Sequence, residues 1–91
     1  MNTIDQIAVK IIKEQELIIG PVAWSEAEKV DGLRIENHNE IKIDGESPKV
    51  IDHLVGQYER LFGRASREVC REAASSFLSQ LPPSEIPSSL R

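Results

Sequence analysis

The chain is poor in cysteine, in aromatic residues and in long apolar runs, and each shortage closes off a class of protein. Its one cysteine, Cys70, rules out an internal disulfide framework and fits a reducing compartment. One tryptophan, one tyrosine and two phenylalanines are too few for a surface built on base stacking. No apolar run is longer than Leu17–Ile19, far short of the ~20 residues that cross a bilayer. Asp5, Lys10 and Lys13 interrupt the start, so neither a signal peptide nor a membrane span is expected and the chain reads as cytoplasmic. A basic block is missing too. The formal charge is −4, with six basic against eleven acidic residues up to His53 and five against four after it. An acidic chain without a Lys/Arg-rich block lacks the electrostatic footprint of a general nucleic-acid binder.

What is present is aliphatic. Eleven isoleucines, 40% apolar and 29% charged residues in a chain of 91 describe one globular domain with a modest core. Thr3 and Gln6 stand in capping-box spacing and place the start of a first helix at Thr3. Ile4, Ile7, Ala8, Ile11 and Ile18 follow helical spacing, and Ile12 and Ile19 widen that stripe beyond what one neighbour covers. Gly20-Pro21 ends the helix, because proline disfavours helical backbone before it and has no N–H to give. A second helix starts either at Pro21 or, by the spacing of Ser25 and Glu28, after Trp24, and Asp31-Gly32 closes it.

"LRIENHNEIKI" alternates as a β-hairpin does. A turn centred on His38 puts Leu33, Ile35, Ile41 and Ile43 on one face, with Arg34 diagonal to Glu40 and Glu36 diagonal to Lys42. Asn37 and Asn39 tolerate left-handed backbone and suit that turn. Ser47 and Pro48 open a third helix, whose buried side is Ile51, Leu54, Val55, Tyr58, Leu61 and Phe62. Val69, Cys70, Ala73, Phe77 and Leu81 continue at helical spacing until Pro82-Pro83.

Whether the chain turns at Gly63 is not decided by periodicity, since Tyr58, Phe62, Ala65, Val69 and Ala73 keep one phase across it at about 100° per residue. An internal comparison favours the turn. Laying Gly20 on Gly63 matches "QELIIGPVAWSEAEKV" with "YERLFGRASREVCREA", so that Ile18 and Ile19 fall on Leu61 and Phe62. The first copy must break at Pro21, and a left-handed glycine after Phe62 would break the second.

The expected architecture is an α+β fold, mainly helical, in the order helix, helix, β-hairpin, helix, helix. Residues 1–81 form the single domain, and the Pro/Ser-rich residues 82–91 form a flexible tail.

No nucleophile motif, phosphate-cradling glycine loop or metal-ligand spacing occurs, and no catalytic, cofactor-binding or metal-binding residue is assigned. Cys70 falls on the apolar stripe and reads as a small buried hydrophobe, and His38 and His53 stand alone. Arg60, Arg64, Arg67 and Arg71 would make one cationic ladder on an unbroken helix, against which Glu68 and Glu72 offer local neutralisation. Trp24, beside the Gly-Pro corner, reads as a core plug before it reads as an interface anchor.

The expected role is therefore non-catalytic: a protein-interaction or self-association module whose partner is another protein or a second copy. The alternative is a winged-helix-like nucleic-acid-binding domain using Arg60, Arg64, Arg67 and Arg71, which the overall acidity disfavours. The strings "ELIIGPVAWSEAEKVDGL" and "YERLFGRASREVCREA" resemble small uncharacterised bacterial proteins, among them those of photosynthetic bacteria. The resemblance spans most of residues 10–75 and implies no activity, cofactor or functional residue.

Overall fold

The computed structural model describes residues 2–91. Helices α1 (Thr3–Ile19) and α2 (Val22–Ala27), strands β1 (Leu33–Asn37) and β2 (Glu40–Ile43), and helices α3 (Ser47–Phe62) and α4 (Arg64–Leu78) follow in that order. Two short 3-10 turns, Pro83–Glu85 and Ser88–Leu90, complete the chain. The fold is mainly helical α+β, with one antiparallel hairpin between two helix pairs.

Helix α1 is the axis of the core. Ile4, Ile7, Ala8, Val9, Ile11 and Ile12 are buried along it, and each fully buried isoleucine contributes roughly 1.5–3 kcal/mol. The stripe that looks too broad for one neighbour is met by several elements of the same chain. Helices α4, α2 and α3 and strand β2 all pack on α1, so its first three turns leave no apolar surplus. Asn2, not Thr3, caps the helix. Its Oδ1 accepts the Asp5 N–H at 2.9 Å, which moves the cap one residue earlier and leaves the Thr3 hydroxyl to reach Gln80.

Helix α2 starts from Pro21, whose backbone is already helical (φ −57°, ψ −20°) and whose missing N–H is no loss there. Ser25 lies inside the helix, its hydroxyl donating back to the Val22 carbonyl at 3.0 Å. Pro48 stands in the first turn of α3, but Ser47 is helical and Glu46 precedes it without a side-chain cap.

The hairpin keeps its four apolar side chains on one face, with Leu33 and Ile41 buried and Ile35 and Ile43 packed against the core. Its register departs from the symmetric turn at one place. Leu33 faces Ile43, Arg34 faces Lys42 and Ile35 faces Ile41, but a bulge at Glu36 brings Asn37 opposite Glu40. In place of left-handed backbone at Asn37 and Asn39, the Asn37 Oδ1 accepts the Asn39 N–H at 2.8 Å. The ion partners of Arg34 become Glu36 and Asp44, at 3.4 and 3.6 Å, instead of Glu40.

Residues 82–91 depart from the expected loose tail. Pro87 is fully buried and Leu90 is 3% exposed, and the last 3-10 turn packs on α3 and α4. The Asp52 carboxylate on α3 accepts from Ser88 Oγ at 2.9 Å, from the Ser89 N–H at 2.9 Å and from Ser89 Oγ at 2.5 Å. Composition alone missed this because one leucine, one proline and one well-placed carboxylate suffice to anchor a short strap. Burial pushes the Asp52 carboxyl up, but the bonds from Ser89 and Ser88 outweigh it and hold the group below its ordinary 3.8. The folded-state value is the lower one. The stabilisation is therefore complete well above 3.8 and is lost as the pH falls through the folded-state value. Protection of the Ser89 amide against hydrogen exchange, corrected for intrinsic rates, is expected to collapse in that acid range before α1 loses protection. Unchanged protection of Ser89 there would remove Asp52 as the anchor.

Candidate interaction surface

The chain turns at Gly63, and it turns there as it does at Gly20. Gly20 has φ 77° and ψ −161°, and Gly63 has φ 89° and ψ −179°. This is not the left-handed helical cap expected after Phe62. It is the positive-φ, extended-ψ region that only glycine enters without a cost of about 1–3 kcal/mol. The bonding repeats as well. Each glycine N–H donates to the carbonyl four residues back, Glu16 and Glu59, at 2.9 Å. Each glycine carbonyl accepts from the third residue on, Ala23 at 3.0 Å and Ser66 at 3.1 Å. The internal match of the two stretches is thus matched by two corners of one geometry.

Two buried polar side chains hold the corners side by side. Gln15, fully buried near the end of α1, donates from Nε2 to the Ser66 carbonyl at 2.9 Å and to Cys70 Sγ at 3.4 Å, near the start of α4. Tyr58, fully buried one turn before Gly63, donates its hydroxyl to the Ala23 carbonyl at 2.6 Å. Burial pushes the Tyr58 phenol up, so it stays a donor throughout the working pH range. Gln57 Nε2 adds a bond to Glu26 Oε1 at 2.8 Å, and Lys29 with Gln57 holds that carboxyl below its ordinary range. Neither Gln15 nor Tyr58 stands out as a clamp in the sequence. The available signal was Gln15 occurring four residues after Ile11 on an otherwise apolar stripe.

Around these clamps the apolar surplus comes to the surface. Among the described residues the exposed large hydrophobics are Leu17 (81%), Ile18 (64%), Val22 (38%), Leu61 (43%) and Phe62 (39%), and all belong to the two corners. Leu17 lies on the solvent side of α1, while Ile18 borders Val69 and Ala73 of α4.

The turn at Gly63 breaks the arginine ladder. Arg60 stays on α3 and donates to Gln57 at 3.0 Å. Arg67 reaches the Ser89 carbonyl at 3.4 Å, and Arg71 pairs with Glu68 at 3.2 Å. Arg64 is exposed at the start of α4 and has no partner among the described residues. The four cations therefore form no single row.

Trp24 is 5% exposed, with its indole lying flat on the His38 ring, centroids 4.0 Å apart and planes 2° off parallel. It belongs to the core, and the hairpin turn covers it. His53 is exposed on α3. Cys70 is buried, and burial pushes its thiol up to about 11 against the opposing bond from Gln15, so it stays protonated at neutral pH. No group of three metal-ligating side chains comes together among the described residues, and no described helix is long and apolar enough to cross a membrane.

Fold and surface together define a small α+β protein, two glycine-cornered helix pairs around a hairpin, with an apolar end where the corners meet. Compared with known proteins, the chain matches no family model, no curated protein and no solved structure.

Proposed function

We propose that this chain is a non-catalytic protein-interaction module that docks through the apolar end formed by its two corners. The observation that carries the reading is the segregation of Leu17, Ile18, Val22, Leu61 and Phe62 to that one end, while the other large apolar side chains among the described residues are buried or partly buried. Exposed aliphatic and aromatic side chains grouped in one place mark a contact surface. The surface is held on a stiff support, because Gln15 and Tyr58 bond the corners to each other beneath it. Binding then costs little ordering of the backbone. A buried, protonated Cys70 and a Trp24 enclosed by His38 are consistent with a core that serves shape, in a reducing cytoplasmic setting. Of the four arginines on which the nucleic-acid alternative rests, Arg64 alone has no partner among the described residues, and one cation does not make a phosphate-tracking surface.

The test is the double variant Ile18→Glu/Leu61→Glu, which replaces exposed side chains and should leave the helical circular dichroism intact. Sedimentation of the parent chain is expected to show concentration-dependent association, or binding to a partner recovered by cross-linking in its native cell, and the variant is expected to associate more weakly and to lose that partner. Equal behaviour of parent and variant in both measurements would overturn the assignment of the corners as the contact surface.

A further inference from the structure

A second surface is already occupied by the chain itself. The groove between α3 and α4 receives the strap. Pro87 and Leu90 are buried there, the Asp52 carboxylate takes three bonds from Ser88 and Ser89, and Arg67 Nε donates to the Ser89 carbonyl at 3.4 Å. The adhesive contacts sit at the far end of the strap. The stretch that leads to them is held less: Ser79, Gln80 and residues 82–85 are exposed, half-buried Leu81 packs on the core, and Thr3 reaches Gln80 at 3.5 Å.

We propose that the α3/α4 groove is a docking site for an extended Pro-Ser-Ser-Leu segment, and that a second copy of this chain supplies that segment by reciprocal exchange of residues 82–91. The occupant is seen in place, so the chemistry of recognition is on view. A carboxylate reads two adjacent hydroxyls and one N–H, an apolar slot takes the leucine, and an arginine takes the carbonyl between them. Exchange reproduces each of these contacts in trans. Its net cost is then chiefly the lost freedom of two molecules, which concentration offsets.

The tether suits the exchange. Pro82 is extended at φ −60°, ψ 147°, and Pro87 at φ −57°, ψ 138°, and consecutive prolines hold the leaving chain stiff. The six residues from Pro82 to Pro87, at about 3.1 Å each when extended, reach roughly 19 Å, which matches the 19 Å thin dimension of the molecule. A neighbour lying alongside is within that span.

The experiment mixes two full-length variants, one isotopically labelled, and reads pairing by native mass spectrometry. Asp52→Ala spoils the groove and keeps the strap, while Leu90→Ala spoils the strap and keeps the groove. Ser88→Ala/Ser89→Ala is a second strap-defective chain that removes the hydroxyl donors without opening a cavity, in case Leu90→Ala folds poorly. Each variant alone is expected to pair less than the parent. The mixture is expected to form the hetero-pair several-fold more than either variant pairs with itself, because it retains one sound groove with one sound strap. Adding Ile18→Glu/Leu61→Glu to both chains is expected to leave the hetero-pair in place, which separates this surface from the corners. A mixture that pairs no more than its components overturns the proposal. So does a hetero-pair that vanishes when the corner residues are replaced.

Discussion

Alanine at Gly32 is expected to lower the unfolding midpoint by roughly 15 °C, about 3 kcal/mol for a domain of this size. Gly32 has φ +86°, and a Cβ placed on it would lie 2.7 Å from the Asp44 carbonyl oxygen and 2.9 Å from Val50 Cγ2. The first of these is backbone. It cannot retreat cheaply, because the Asp44 N–H donates to the Gly32 carbonyl at 2.8 Å and ties the base of the hairpin together. Val50 is buried on α3, so the same contact fixes the hairpin base against the start of that helix. Conformational strain and overpacking therefore add at a single position. At Gly20 and Gly63 nothing lies within 4 Å of the added Cβ, and alanine there meets the backbone cost alone. Thermal unfolding followed by circular dichroism checks the order. A Gly32→Ala midpoint no lower than that of Gly63→Ala would refute the close approach.

Trp24→Ala is expected to cost about 3–5 kcal/mol, in line with the removal of other large buried aromatics. The indole is nearly enclosed, and its face is shielded by the His38 ring at 4.0 Å. Its removal opens a cavity beside α1 and takes away the surface on which the hairpin turn lies. Hence the substitution should loosen the hairpin as well as lower global stability, seen as faster amide exchange across Leu33–Ile43. Trp24→Phe keeps most of the volume and should cost distinctly less. An interface tryptophan would behave in the opposite way, with stability within about 0.5 kcal/mol of the parent and association lost. Urea unfolding of the three chains distinguishes the two roles.

Much of the fold was legible because its signals are local. Pro21 must break a helix, Pro48 suits a first turn, and the alternation from Leu33 to Ile43 has one sensible face. The helix order and the break at Gly63 follow from such signals together with the internal match. The errors also have local causes. Asn2 outcompetes Thr3 as a cap because either side chain can reach a free N–H, and only the start of the chain path decides. The bulge at Glu36 shifts one pairing without changing the apolar pattern, so periodicity is blind to it.

The candidate surface was less legible, since exposure is decided by tertiary packing. Ile18 and Leu61 belong to apolar stripes by spacing, yet they lie at helix ends where the neighbouring element has already turned away. Trp24, read first as a core plug, lies in the core, and Arg60, Arg67 and Arg71, offered from sequence as contacts for a partner, each bond within the chain. Asp52 was invisible as an anchor because its bonds bridge to the strap far along the chain.

The twin bends carry an implication for how this shape can vary. Neither glycine carries a side chain, and nothing lies within 4 Å of the place a Cβ would take at either. The direction in which each helix folds back is then set largely by two torsions of one residue, with Gln15 and Tyr58 fixing the corners against each other. A chain built on two such brackets can rewrite the faces it shows to the world, one half at a time, while its silhouette stays put.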